Sequence, residues 1–483
     1  MRYHYPTYRV DISPDTVTEC LDAATRLLDE VGFLVPHGGF LAAMAGRPGL
    51  ALRGERVHFS PELTQQYLAR YRHGLADSVP GPEAEPPGDD WAVQIAGYSM
   101  AVRDLHTGEV RDGTCEDLRD AIKLAGSYGI GGMYPVMPQD VPPIMRALAC
   151  FRICWEMSDS IGPYDYQQPE QVPFVYEMHQ AMGKRMDLTL TVPGAMTIDP
   201  KDLDIFLEFY PLWRANRDIN FRVLDYGMLG ITKPLTAPGC ATMQLAESLA
   251  VHMLLNLYDP DINVPIIMTV GQPTDLRHAC WAFGSPRRHL YSYLQHQLQA
   301  RLAGREPKAY RQVGVLLETS SAAEDEQAAL EKMASGLLGA LQGARTFGYA
   351  GVLCVDDVFS PVQFVIDVEI VDYIRETIQA FAPHRDVMQT AGLYDECRAV
   401  ALGEDTFLSH PNTVHRFRNV LPSPHLIVRE KLRPWLSHMS TLRDRAREEA
   451  IARIQAWVPC EMPADRGRQL ESIYQRAQRA LVG

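Results

Sequence analysis

The chain has 483 residues, a net charge of -14 and nine cysteines. That length, about three times a usual domain, allows a large buried core, and the acidic balance argues against a nucleic-acid surface, which needs a clustered basic face. The odd, scattered cysteines contain no C-x-x-C pair and suit a reducing compartment, while no run approaches the ~18 apolar residues of a membrane span. The start, MRYHYPTYRVDISPD, has no apolar core of an export signal, so a soluble, cytoplasmic protein is expected.

From Pro14 to Gly32 the residues Val17, Cys20, Leu21, Ala24, Leu27, Leu28 and Val31 fall at helical spacing, with Ser13 as N-cap and Gly32 as the stop. The run 79–90, VPGPEAEPPGDD, reads as an exposed linker. A boundary near residue 90 gives an N-terminal helical cap (1–90), a main α/β domain (91–425) and a C-terminal helical extension (426–483). Within the main domain, β-type runs at 131–136, 160–166, 188–192, 219–226, 264–270, 310–317 and 347–355 alternate with helical patterns. An eighth strand is expected around Val400 to Leu408. Such alternation argues for a parallel sheet, but periodicity alone leaves a closed eight-stranded barrel and an open doubly wound sheet both standing. The tail has an apolar stripe of Leu432, Trp435, Leu442, Ala446, Ala450, Ile454 and Trp457, expected to pack on the outside of the domain or on another subunit.

In parallel α/β folds the reactive groups gather where the strands end. The first of these runs ends at Tyr134 and leads to Asp140; the second ends at Tyr164, Asp165 and Tyr166, and the fourth at Asp225 and Tyr226. The sixth delivers Glu318, Thr319 and Ser320, and the seventh holds Tyr349 and delivers Asp356 and Asp357. Tyrosine faces and carboxylates at one rim would suit an alkylammonium ion, because the ring quadrupole attracts a cation and a carboxylate adds a longer-range pull. The plainer reading is equally physical: tyrosines often sit half-buried with a wet hydroxyl, and carboxylates after strands cap helices. Ser321-Ala-Ala-Glu324 reads as a capping box, so Glu324, Asp325 and Glu326 are assigned to a helix start and not to the site. The histidines form no H-x-C or H-E-x-x-H pattern, and Cys150 and Cys154 lie four apart on a helix, so no intrinsic metal is expected. His289 and His296, seven apart on one helix face, are expected at the surface or an interface. There is no G-x-S-x-G elbow.

The run Gly230-Ile231-Thr232-Lys233-Pro234-Leu235-Thr236-Ala237-Pro238-Gly239 is a strand-to-helix turn, followed by a helix reaching Glu247. Together with FLSHPNTVHRFR (407–418), DLHTGEVRDGTCED (104–117) and MPQDVPP (137–143), it resembles the trimethylamine methyltransferase-like family of corrinoid-dependent methyltransferases. Gly230, Thr232, Pro234, Thr236, Gly239, Ala246 and Glu247 fall in register with that family's pattern. The resemblance implies a TIM-type (β/α)8 barrel. It also implies methyl transfer from a methylated amine, a quaternary amine or betaine, to the Co(I) corrinoid carried by a partner protein. The loop would then face the corrinoid and its carrier, with Gly230, Thr232, Lys233, Thr236 and His410 as cofactor-binding residues. Tyr134, Tyr164, Tyr166, Tyr226 and Tyr349 would bind substrate, with Asp225, Glu318 and Asp357 as the catalytic carboxylates, in a homo-oligomer without its own metal.

Departures from the family pattern mark where this chain is its own. It lacks pyrrolysine and so resembles the non-pyrrolysine branch. Lys233 replaces a common glycine, which would set a long cation near the loop crest; Gly348-Tyr349 stands where many members have histidine, and Ser285-Pro286-Arg287 replaces S-P-E. Two other readings stay open: a barrel lyase or hydrolase using Asp225, Glu318 and Asp357, and a non-catalytic barrel that binds a ligand or a corrinoid protein.

Overall fold

The computed structural model describes residues 12–78, 91–162, 168–225, 227–262, 264, 271–302, 304, 314–380, 392–403, 406–420, 424–458 and 464–483. Ser13 caps α1 (Pro14–Arg26) by accepting from the Thr16 amide at 3.1 Å, and the helix runs through a π turn to Gly32, whose φ of 75° ends it. Helices α2 (Gly38–Met44) and α3 (Pro61–Ser78) complete the N-terminal part around a small antiparallel sheet. The linker 79–90 lies outside the described residues.

Strands and helices then alternate. They are β1 (Ala92–Ile95), α4 (Cys115–Ser127), β2 (Gly131–Met133), α5 (Arg146–Met157), β3 (Ile161–Gly162), α6 (Val172–Ala181), β4 (Met186–Val192) and α7 (Pro200–Asn216). There follow β5 (Ile219–Asp225), α8 (Ala237–Tyr258), α9 (Pro286–Leu302), β6 (Gly314–Leu316), α10 (Glu326–Leu341), β7 (Thr346–Ala350) and α11 (Pro361–Ala380). Every pairing among these strands is parallel: one sheet has the order β6-β7-β1-β2-β3, and β4 pairs with β5 from Met186–Ile219 to Val192–Asp225. The sheet does not close among the described residues, and of the expected strand 264–270 only Val264 is described.

Among the described residues the strand expected around Val400 to Leu408 is absent, and 404–405 lie outside them. Leu393–Ala401 is a helix and 407–409 a turn. The apolar residues Val400, Leu402 and Leu408 lack the unbroken alternation a strand needs. The additional strand is β1, directly after the proline-rich linker. Its register is set from below by Trp91, stacked on Phe347 at 5.4 Å with the Arg345 guanidinium over the indole.

Beyond their ends, β1 and β7 continue into a four-stranded sheet made from their own loops, Ala101–Arg103 and Val110–Asp112 with Val352–Leu353 and Val358–Phe359. The DLHTGEVRDGTCED run is the hairpin of this sheet. Arg111 joins Asp104 to Asp117, and Asp117 forms a capping box with Thr114 at the start of α4. The Thr107 and His106 amides and Arg111 hold the Asp104 carboxyl down at about 2.

Five more helices follow: α12 (Leu393–Ala401), α13 (Pro411–Val420), α14 (Leu432–His438), α15 (Leu442–Ala456) and α16 (Ala464–Leu481). The tail stripe is broken at Met439, which has φ 48°; α15 buries Ala446 and Ala450 against α4 and α11, and α16 packs on α5 and α6. Among the described residues no helix is long and apolar enough to cross a membrane.

Gly132 in β2 has φ 143°, and a Cβ there would lie 2.0 Å from the Ile95 carbonyl of β1. Gly129 also has positive φ (69°) but faces open space. Gly132→Ala is therefore expected to destabilise by roughly 3 kcal/mol or more, against about 1 kcal/mol for Gly129→Ala. Equal urea midpoints for the two variants would contradict this β1–β2 contact.

Candidate active site

Four adjacent strand ends of the five-stranded sheet converge. After β1 the Tyr98 amide bonds the Tyr134 carbonyl at 3.1 Å, which sets the two rings 6.5 Å apart at the C-terminal edge. The Tyr98 hydroxyl donates to Asp356, which follows β7. Glu318, at the end of β6, is fully enclosed and bonds Arg288 of α9 at 2.6 Å. Burial pushes both carboxyls up, and Glu318 also feels the charge of Asp356. Two tyrosines and two desolvated carboxylates thus share one small region.

Asp356 is aimed by a rigid loop. The Cys354 and Val355 amides donate to the carbonyls of Ser321 and Thr319 at 2.6 and 2.7 Å, and both residues take positive φ, 51° and 70°. A β-branched residue in that region carries strain that the surrounding bonds must hold. Behind the loop, Lys332 of α10 and Asp367 of α11 form a wholly buried ion pair at 2.6 Å, and Asp367 accepts the Gly351 amide at 2.7 Å.

A second charged cluster lies at the end of β5. Lys233 Nζ is 2.9 Å from Asp225 and 2.5 Å from Glu247 of α8, with all three side chains buried. Glu247 also accepts the Met196 amide at 2.8 Å, and Gln244 bonds Asp225. Two carboxylates sharing one ammonium in the interior leave one surplus negative charge. Burial and then Asp225 push the Glu247 carboxyl up to about 7; burial raises Asp225 as well. Burial opposes the Lys233 ammonium, but the two carboxylates outweigh it and raise its pKa. Above this anchor the loop bonds to itself: Met228 O accepts the amides of Ile231, Thr232 and Lys233, and Gly230 turns at φ 85°.

The structure thus brings together Tyr134, Glu318 and Asp356 and adds Tyr98, which the sequence reading missed because β1 was missed; the signal was Val93 and Ile95 alternating before Gly97-Tyr98. Tyr349 is half-buried in a bulge of β7, at φ 61°, where pairing with β1 shifts register. Asp357 is exposed and adjoins Cys354, so it is Asp356 that meets the tyrosines. Asp140 accepts the Cys115 amide at 3.0 Å, a helix-start contact. Tyr164, Asp165, Tyr166 and Tyr226 lie outside the described residues.

Several expectations need correction. Lys233 is 3% exposed and lies beneath the loop, because Asp225 and Glu247 draw the ammonium inward; it is not at the crest. Thr232 and Thr236 accept the backbone amides of Met228 and Gly239, so both hydroxyls brace the turn. The crest is apolar instead: Ile231, Leu235 and Leu276 are each more than half exposed, and the two leucines flank Gly230. His410 Nδ1 accepts the Asn412 amide at 3.3 Å, and Glu396 lies 3.6 Å from it. Glu324 is no capping residue: Asp325 caps α10, while Glu324 is buried against Arg103 at 2.9 Å and Ser360 at 2.5 Å. His289 is 5% exposed rather than superficial, and among the described residues neither ring nitrogen has a hydrogen-bond partner.

Among the described residues no group of three or more His, Cys, Asp or Glu is placed to hold a metal ion. Clefts of about 530 Å³ between α6 and α16 and about 490 Å³ between α4 and α15 share no residue with the strand-end cluster.

A family model described as trimethylamine methyltransferase matches residues 1–481. Two curated relatives, trimethylamine methyltransferase MttB1 of Methanosarcina acetivorans and its namesake of Methanosarcina mazei, are each 28% identical over 267 residues, covering 54% of this chain and 50% of the relative. The chain thus spans about half the length of the curated relatives it matches.

Two outcomes are expected from the buried charges. A carboxyl whose folded pKa is raised contributes fully below its unfolded value and loses that contribution as pH rises through the folded one; for Glu247 the loss runs from about 4.5 to beyond 7. Glu247→Gln should flatten the fall in Tm across that window, whereas Lys233→Met, which leaves two facing carboxylates, should cost about 3–5 kcal/mol. A Glu247→Gln variant with an unchanged Tm–pH curve would refute the shared-charge account. His289 behaves oppositely: burial, then Arg288, lowers its pKa to about 4, so stability is lost as pH falls from 6.5 toward 4. His289→Phe is expected to keep or raise Tm and to lessen that acid loss, which thermal scans between pH 4 and 7 would check.

Proposed function

The chain belongs to the trimethylamine methyltransferase family, and from that premise we propose that it moves a methyl group from a methylated amine to the corrinoid of a partner protein. The observation that carries the reading is the pairing of Tyr98 and Tyr134 beside Asp356 and Glu318 at neighbouring strand ends. Two electron-rich faces attract an alkylammonium, worth ~2 kcal/mol once desolvated, and Asp356 adds a longer-range attraction. Closure as a TIM-type (β/α)8 barrel is part of this reading, and the seven parallel strands with β7 lying beside β1 support it.

The preferred substrate in this reading is a quaternary amine or betaine. Its nitrogen leaves as a neutral amine, so no proton must be delivered to it and no general acid is required. What remains for the protein is to orient one methyl group and exclude water. Tyr98 and Tyr134 would hold the cation, Asp356 would fix its position through the strained loop, and Arg288 would keep Glu318 from drawing the cation deeper. When bound, the corrinoid supplies a reduced cobalt nucleophile. The loop crest fits such a partner as an apolar contact, through Ile231, Leu235 and Leu276, rather than as a hydroxyl or phosphate cradle. Against a lyase or hydrolase, Asp225 is committed to Lys233, Glu318 to Arg288, and Asp357 faces outward.

The test is methyl transfer. The protein is mixed with a reduced corrinoid protein and a panel of betaines, tetramethylammonium and trimethylamine, and cobalt methylation is followed by absorbance. Activity with at least one quaternary amine is expected; none with any of them would reject the reading. Asp356→Asn should raise KM roughly tenfold or more, the loss of about 1.4 kcal/mol of cation attraction, with little change in Tm.

A further inference from the structure

The edge where the strands end is acidic, and its cations are spoken for. Asp356 and Asp357 follow β7, and beside the end of β6 Glu331 accepts the Ser320 amide at 2.8 Å and the Thr319 hydroxyl at 2.6 Å. The stretches leading from each of β1 to β7 to the helix after it, together with 259–285, contain four lysines or arginines: Arg103, Arg111, Lys233 and Arg277. Each is held by a carboxylate: Arg103 by Glu324 at 2.9 Å, Arg111 by Asp117 at 2.6 Å, Lys233 by Glu247 at 2.5 Å and Arg277 by Asp275 at 2.8 Å.

Arg288, in the first turn of α9, is brought to the end of β6 by Glu318. Its Nη1 donates to Glu318 Oε2 at 2.6 Å, with the guanidinium 4.8 Å from the centre of the Phe283 ring. Glu318 and Asp356 are in turn neighbours through the backbone. The Val355 amide donates to the Thr319 carbonyl at 2.7 Å, so the residue before one end of that bond and the residue after the other are the two carboxylates. A cation seated on Tyr98 and Tyr134 beside Asp356 therefore has Glu318 within reach of its remaining groups.

A betaine brings a carboxylate as well as a cation. Taken out of water, that carboxylate needs a guanidinium or ammonium to receive it, and Arg288 is already matched by Glu318.

We propose that Glu318 is a specificity-determining residue: by occupying Arg288 with the protein's own carboxylate it closes the site to betaines, and the substrate is a quaternary ammonium with no acidic group. The inference rests on the strand ends being the amine site, and it narrows that reading to one class of donor.

Choline and glycine betaine make the comparison, since both carry a trimethylammonium head and they differ at the second carbon of the arm, an alcohol in one and a carboxylate in the other. Calorimetric titration of the full chain at fixed ionic strength should give choline a Kd at least about a hundredfold below that of glycine betaine, because like charges set against each other in a site disfavour binding by that order. Glu318→Gln, which releases Arg288, should tighten glycine betaine about tenfold while leaving choline no tighter. A selective gain of that kind does not follow from loosened packing. Because the variant could misfold, the ratio in the unmodified chain stands as an independent measure. Glycine betaine bound as tightly as choline by the unmodified chain, or a folded Glu318→Gln that keeps the original ratio, would overturn the proposal and leave the amine site in place. Binding of neither ammonium, with no methylation of a reduced corrinoid protein by either, would overturn it together with the reading on which it rests.

Discussion

The hydrogen bonding of β7 to β1 is the constraint on which the rest of the site depends. It places the last strand of the alternating series beside the first, so that the loop carrying Asp356 faces Tyr98 and, one strand further, Tyr134. Neither the aromatic pair nor the carboxylate is unusual alone. Their meeting follows from parallel register, since parallel neighbours bring all their C-terminal ends to one edge. The irregular step between Phe347 and Ala350 tunes the arrangement by turning Tyr349 out of simple alternation.

Burial of charge recurs throughout this molecule with a consistent logic. Lys332–Asp367, Lys233 with its two carboxylates, and Arg288–Glu318 each join elements that face the strand ends. Removing such charges from water is expensive, and a buried pair is seldom stabilising against a well-packed apolar replacement. Their value here is positional: Asp367 holds the Gly351 amide at the root of the Asp356 loop, and Glu247 holds the Met196 amide while anchoring the turn above it. The ammonium and carboxylate groups fix backbone segments that apolar side chains would leave free to slide.

Much of the alternation was legible because apolar runs of four to eight residues bounded by turn residues survive any tertiary context. α1, with Ser13 and Gly32 at its ends, was readable from capping chemistry alone, as was the turn into α8. The site was legible only in part. Tyr134, Glu318 and Asp356 were found as strand-end residues, but Tyr98 was hidden because four residues following a proline-rich linker carry too little periodicity to declare a strand. Lys233 was misplaced because sequence shows that a cation stands in a loop but not that two carboxylates, eight positions before and fourteen after, converge beneath it. Glu324 misled for a similar reason: spacing matched a capping box, while Arg103, over two hundred positions away, decided its partner. The burial of His289 followed from packing that no local pattern encodes.

The stack of Trp91 on Phe347 fastens together chain segments about 250 positions apart. Contacts of such long sequence separation form late, because a large loop must close before they return any free energy. On the ribosome, nearly three-quarters of the polypeptide must emerge before β1 finds β7, its second neighbour, and until then that edge stays open to misplaced pairing. A nascent chain halted before Thr346 would thus possess most of the helices and both strands that carry Tyr98 and Tyr134, but not the Asp356 loop that meets them.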